Sequence, residues 1–168
     1  MKYTSAEAAK LLRTLTEEQA NIREKEEKSA VFVAAIEEDV ESVRPAYDYA
    51  ATKKKLDELE ARVRKIKHTM NIFNTTTVIP GFDMTIDQML VYIPQLSERK
   101  AKLTRMASRL PKERANAGGY GAKTIVEYQY VNYDIEKIEQ DLADVTNELS
   151  RAQTALDTVN NSLTMEIE

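Results

Sequence analysis

From Ile135 to Leu163 the apolar residues Ile135, Ile138, Leu142, Val145, Leu149, Ala152, Leu156, Val159 and Leu163 are spaced three and four apart without a break. An α-helix turns once in 3.6 residues, so this spacing puts all of them on one stripe. At ~1.5 Å per residue the segment is a rod of roughly 45 Å. An apolar stripe of that length needs another long helix beside it. The rest of the chain therefore has to supply long helices.

It does. Ala8, Leu11, Leu15 and Ile22 keep heptad spacing in a first helix over residues 5–28. Thr4 and Glu7 stand as the capping box that would start it. A second helix over 46–73 has the seam Leu56, Leu59, Val63, Ile66, Met70 and Phe73, with Pro45 placed to serve as its first residue. A third, over 85–110, has Ile86, Met89, Ile93, Leu96, Leu103, Ala107 and Leu110, with Thr85 and Gln88 as a second capping box. Pro94 falls inside that pattern and removes one hydrogen bond, which predicts a kink or a restart. The long stripe above makes a fourth helix over 133–163. Gly and Pro number four each, so few loops are available to break these elements.

Two segments read as strands. Residues 124–131, Thr124-Ile125-Val126-Glu127-Tyr128-Gln129-Tyr130-Val131, are β-branched and aromatic. Residues 30–36, an apolar run with Val-Phe-Val at its centre, read as a short buried strand, with a continuation of the first helix as the alternative. If both are strands they are expected to pair, since a lone strand leaves its backbone groups unbonded. The fold class expected is mainly α: one domain over 1–168, four long heptad-patterned helices as antiparallel hairpins, and a small two-stranded β element.

Charge is divided by element. Residues 1–43 hold six Lys/Arg against ten Asp/Glu, and 134–168 two against nine. Residues 44–73 hold eight against four, and 98–114 seven against two. The outer helices are thus acidic and the middle two basic, so the middle pair is expected to pack against the outer pair.

The chemistry classes thin out quickly. There is no Cys, which excludes disulfides, thiolate zinc sites and a Cys nucleophile. The one His, His68, sits in a basic helical stretch and reads as a surface residue. The carboxylate runs Glu17-Glu18, Glu26-Glu27 and Glu37-Glu38-Asp39 lack the apolar pocket that would tune one of a pair for acid–base work. Gly118-Gly119-Tyr120-Gly121 lacks the Lys-Ser/Thr ending of a phosphate loop and precedes a strand, so it reads as a connector. No catalytic residue, metal or cofactor is expected. The N-terminus has no apolar leader and the longest uncharged apolar run is short, so a cytoplasmic location is expected. The formal charge of −4 argues against nucleic acid as the main partner.

Asn71-Ile72-Phe73-Asn74 closes a heptad helix, a Thr-rich turn follows, and Thr85-Ile86-Asp87-Gln88-Met89-Leu90 opens the next. A strand and a long last helix ending in Val159-Asn160-Asn161 complete the order. This layout resembles the septicolysin-like family of small bacterial helical proteins. It departs from that pattern at Ile93-Pro94, where the family tends to have Arg-Asp, and in having no Trp near the C-terminus. The resemblance implies a helical fold, and the family's name implies a lytic activity.

What remains is a helical protein that self-associates or scaffolds protein partners. The candidate contact residues are Val78, Ile79 and Phe82 in the connection between the second and third helices, and Tyr120, Tyr128 and Tyr130 of the aromatic cluster. A membrane-acting protein that releases the apolar 30–36 run is one alternative. Nucleic-acid binding through the basic segment 98–114 is another.

Overall fold

A computed structural model of the chain describes residues 1–115 and 126–167. It is mainly helical. The described residues form α1 (Ser5–Ala30), a short α2 (Val40–Val43), α3 (Tyr49–Thr76), α4 (Ile86–Ala107) and α5 (Ile135–Ser162). Four three-residue strands join them: β1 (Lys2–Thr4), β2 (Lys112–Arg114), β3 (Tyr128–Tyr130) and β4 (Thr164–Glu166). The chain, expected as a single domain, groups into two compact units: Met1–Thr77 with Thr158–Glu168, and Val78–Asp157.

In the first unit α1 lies along α3. The late part of α1, at Ile22 and Glu26, and the start of α3, at Ala51 and Lys55, line one groove of about 310 Å³, so the two helices run antiparallel. Their seam closes a core of Ala8, Leu15, Leu59 and Ile66. Val63, Met70 and Phe73 pack against that core, as the heptad spacing requires. β1 pairs antiparallel with β4, Tyr3 opposite Met165. Met165 and Ile167 close the core from that side. Two ion pairs link the helices, Lys55 to Glu18 at 2.9 Å and Arg23 to Glu60 at 2.8 Å. The first follows the acidic-on-basic expectation and the second reverses it. Both are exposed, and such pairs are worth well under about 1 kcal/mol. The apolar seam, not charge, holds this hairpin.

In the second unit α4 and α5 run antiparallel. The Tyr92 hydroxyl donates to Glu148 at 3.4 Å and the Tyr133 hydroxyl donates to the Met106 carbonyl at 2.9 Å, so advancing along α4 means retreating along α5. Buried positions on α4 are Ile86, Met89, Leu96 and Leu103, and on this unit's part of α5 Leu149, Ala152 and Leu156, all from the predicted seams. Beyond the helices, β2 pairs antiparallel with β3.

Both capping boxes form. Thr4 and Thr85 accept from the third-residue amides of α1 and α4, and Glu7 and Gln88 reach back to the cap amides. α3 starts later than Pro45 suggested. Asp48 caps it by accepting from the Ala51 amide, a hydrogen bond that Pro45 at the first helical position would not supply. α4 does not restart at Pro94; it continues from Ile86 to Ala107. Pro94 offers no amide to the Leu90 carbonyl, and Leu90 lies on the exposed side of the helix.

Residues 31–36 are neither strand nor helix. α1 ends at Ala30, and Val31 takes an extended backbone (φ −134°, ψ 133°) suited to its β-branch. Glu38 then closes a turn, its amide donating to the Ala35 carbonyl at 3.1 Å while its carboxylate accepts from the Ala35 amide at 2.9 Å. Among the described residues, the expected pairing of 30–36 with 124–131 does not occur. Within 124–131 the observed strand is Tyr128–Tyr130, and its partner is Lys112–Arg114. Residues 124 and 125 lie outside the described residues.

Candidate interaction surfaces

The connection between α3 and α4 is built on Pro80-Gly81. The Phe82 amide donates to the Ile79 carbonyl at 3.1 Å, and Gly81 takes φ +79°. That is the geometry of a turn with Pro second and Gly third, where a side chain at the Gly would be strained. Val78 bridges to Thr85, and the Ile79 amide donates to the Met84 carbonyl at 2.9 Å. This folds Ile79 inward. It is fully buried and is a core residue, which corrects its place among the contact residues. Val78 is exposed on the outer side of the same turn. Phe82 is half-buried, with the Arg151 guanidinium 5.5 Å over its ring, so much of its face is already occupied.

Of the residues named from the aromatic cluster, Tyr128 and Tyr130 are described. Tyr120 lies outside the described residues. Tyr128 and Tyr130 are exposed neighbours on one face of β3, since alternate residues of a strand share a face. Residues directly opposite in an antiparallel pair also share a face. Arg114 stands opposite Tyr128 and Lys112 opposite Tyr130. One face of the ribbon is therefore Lys112, Arg114, Tyr128 and Tyr130. The Lys112 ammonium lies 4.1 Å over the Tyr128 ring and 5.4 Å over the Tyr130 ring. The sequence shows these groups apart, the aromatic cluster in one segment and the basic stretch 98–114 in another. The ribbon register joins them.

A third surface lies where a short buried strand was expected. The segment between α1 and α3 presents Val31, Val33 and Ile36 at 80%, 91% and 105% exposure. α2 follows, capped by Asp39, and Val40 is exposed too. Arg44 pairs with Glu41 at 2.7 Å and lies 5.2 Å from the Phe32 ring centre. The signal for this surface was in the sequence: an apolar run followed immediately by Glu37, Glu38, Asp39 and Glu41. A buried strand would not meet so many carboxylates at its end.

Tyr47 anchors this segment to α1. Its hydroxyl donates to the Glu26 carboxylate at 2.6 Å. That hydrogen bond, then desolvation and the Glu26 charge, push its pKa from 10.0 to about 12. Tyr is neutral when protonated. A raised pKa means the contact contributes fully below pH 10.0 and is lost as pH rises through about 12. A spectrophotometric phenol titration of the wild type and Tyr47→Phe should differ by one group ionising near pH 12. A difference near the ordinary Tyr value would show that the bond to Glu26 is not made.

His68 is exposed, as its basic surroundings suggested. Among the described residues no group of three or more Asp, Glu or His is placed to hold a metal ion. No described helix is long and apolar enough to cross a membrane.

No family model and no curated protein matches the chain. Among solved structures it is similar to a functionally unknown conserved protein from Corynebacterium diphtheriae, with a TM-score of 0.59 and 16% identity over 99% of this chain and 100% of that one. At that identity the likeness is one of fold.

Proposed function

We propose that this chain is a non-enzymatic helical protein that self-associates, its heptad seams packed in the manner of antiparallel coiled coils and its contacts made through exposed apolar surface outside those seams. The observation that carries this reading is the open set Val31, Val33 and Ile36. Three apolar side chains within six residues, left in water beside charged neighbours, support a contact surface there. They are not among the side chains that form or pack against the first unit's core.

The test is the absolute mass in solution by light scattering after size exclusion, at low and at high salt. A mass above the 19.1 kDa of one chain is expected at micromolar protein. Ser at Val33 and Ile36 should bring it down to one chain without loss of helix signal. A mass of one chain at every concentration would overturn the reading.

The ribbon face favours a second reading, nucleic-acid binding, because cations and exposed rings together are what a single strand needs. A salt-sensitive gel shift supports it, and the absence of a shift at low salt removes it. The lytic activity implied by the septicolysin-like resemblance would use the same apolar 31–36 segment. Dye-loaded liposomes that stay closed at micromolar protein would dismiss it.

A further inference from the structure

Two open surfaces, one in each unit, carry opposite charge. Residues 37–48, which continue the apolar Val31, Val33 and Ile36 segment, hold five carboxylates against Arg44 alone. Arg44 is already paired with Glu41. Residues 105–114, which lead into and form β2, hold four cations against Glu113 alone. Both surfaces also offer apolar area: the valines and Ile36 on the first, Leu110, Tyr128 and Tyr130 on the second. Tyr and Arg, with Trp, are enriched at the energetic centres of interfaces.

We propose that the acidic, apolar segment between α1 and α3 of one copy docks on the Lys112–Arg114–Tyr128–Tyr130 face of a second copy. This deepens the self-association reading above and rests on it. Val33 and Ile36 would lie against the two rings, while Glu37 and Glu38 would face Lys112 and Arg114. The occupant follows from charge and from economy. A nucleic acid matches the cationic ribbon but leaves the acidic apolar segment unexplained. An anionic membrane would be repelled by the carboxylates beside the valines. A second copy accounts for both surfaces at once. Because each copy offers one surface of each kind, the contact is between unlike patches.

Charge exchange tests it. One variant replaces Glu37 and Glu38 by Lys; the other replaces Lys112 and Arg114 by Glu. Each alone sets like charges against each other and should weaken association roughly tenfold or more. An equimolar mixture of the two should recover hetero-association, and a single chain carrying all four changes should associate as the wild type does. Circular dichroism checks that each variant keeps its helix content. If the wild type associates and neither variant changes its mass, this interface is wrong while self-association stands. A wild type that is one chain at all concentrations removes both. Binding of a single-stranded oligonucleotide that is lost on Lys112→Glu with Arg114→Glu, with mass unaffected, would assign the ribbon to nucleic acid and overturn the proposal.

Discussion

Replacing Ile66 by Ala is expected to lower the unfolding free energy by about 2–5 kcal/mol, the range for truncating a large apolar side chain in a closed core. Ile66 is 1% exposed and belongs to the cluster that joins α1 to α3. Neighbours on both helices surround it, so the site has little room to collapse, which favours the upper part of the range. Folded proteins of this size hold about 5–15 kcal/mol in total, so one such loss is a large share. The comparison is Ile72→Ala on the same helix. Ile72 is 49% exposed, outside the seam, and its truncation leaves no closed cavity. That variant should lose less than about 1 kcal/mol. The chain has no Trp, so urea unfolding is followed by circular dichroism, where α3 contributes directly. Equal losses for the two substitutions would mean that the seam is not the packing face.

That prediction could have been written from the sequence. Ile66 sits in the spacing Leu56, Leu59, Val63, Ile66, Met70 and Phe73, and the structure buries or half-buries every one of them. The same holds for Ile86, Met89, Ile93, Leu96, Leu103 and Ala107 on α4, and for the stripe on α5 as far as Val159, whereas Leu110, expected to end the third seam, lies past the end of α4 and is exposed. Helical periodicity is repeated over many residues, so one local exception does not erase it. Capping boxes and the Pro80-Gly81 turn were equally legible, because each is a local hydrogen-bonding pattern written in adjacent residues.

What was not legible depends on residues far apart in the chain. Nothing near Tyr128 announces Lys112, because the cation comes to the ring through strand register across the Gly-rich stretch. The candidate site was therefore half visible: the rings and the basic segment 98–114 were each legible, their meeting on one face was not. The 30–36 run shows the opposite failure. Its β-branched composition pointed to a buried strand, but composition does not say whether a partner strand exists. β3 took the chain-adjacent segment β2, which closes a much shorter loop. Among the described residues, 31–36 have no partner strand, and Val31, Val33 and Ile36 stand in solvent. Ile79 was misplaced for a related reason: whether a turn residue faces in or out depends on the Val78–Thr85 bridge beside it.

The second large effect concerns a part of the core that helical periodicity hides. Leu163-Thr164-Met165-Glu166-Ile167 alternates apolar and polar, a strand signal masked by the end of the α5 stripe. Thr164–Glu166 pairs with Lys2–Thr4, and the Met1 carbonyl accepts from the Ile167 amide at 2.9 Å. Met165 and Ile167 are both buried, and they are two of the six buried members of the first unit's cluster. Replacing both by Ala removes apolar volume from one side of a core that has only two helices on the other. Each change is worth about 2–5 kcal/mol alone. Their sum is not strictly additive, since residues that share a core couple. The combined loss is nonetheless comparable to the whole stability of a small unit. The expected result in hydrogen exchange followed by mass spectrometry is fast exchange across α1 and α3, where the wild type is protected, with peptides from α4 as the internal control. If only residues 163–167 speed up while α1 and α3 keep their protection, β4 is a tail laid on a finished hairpin. Fast exchange in both helices would instead make the β1–β4 ribbon the third wall of the core, required for the α1–α3 seam to stay closed.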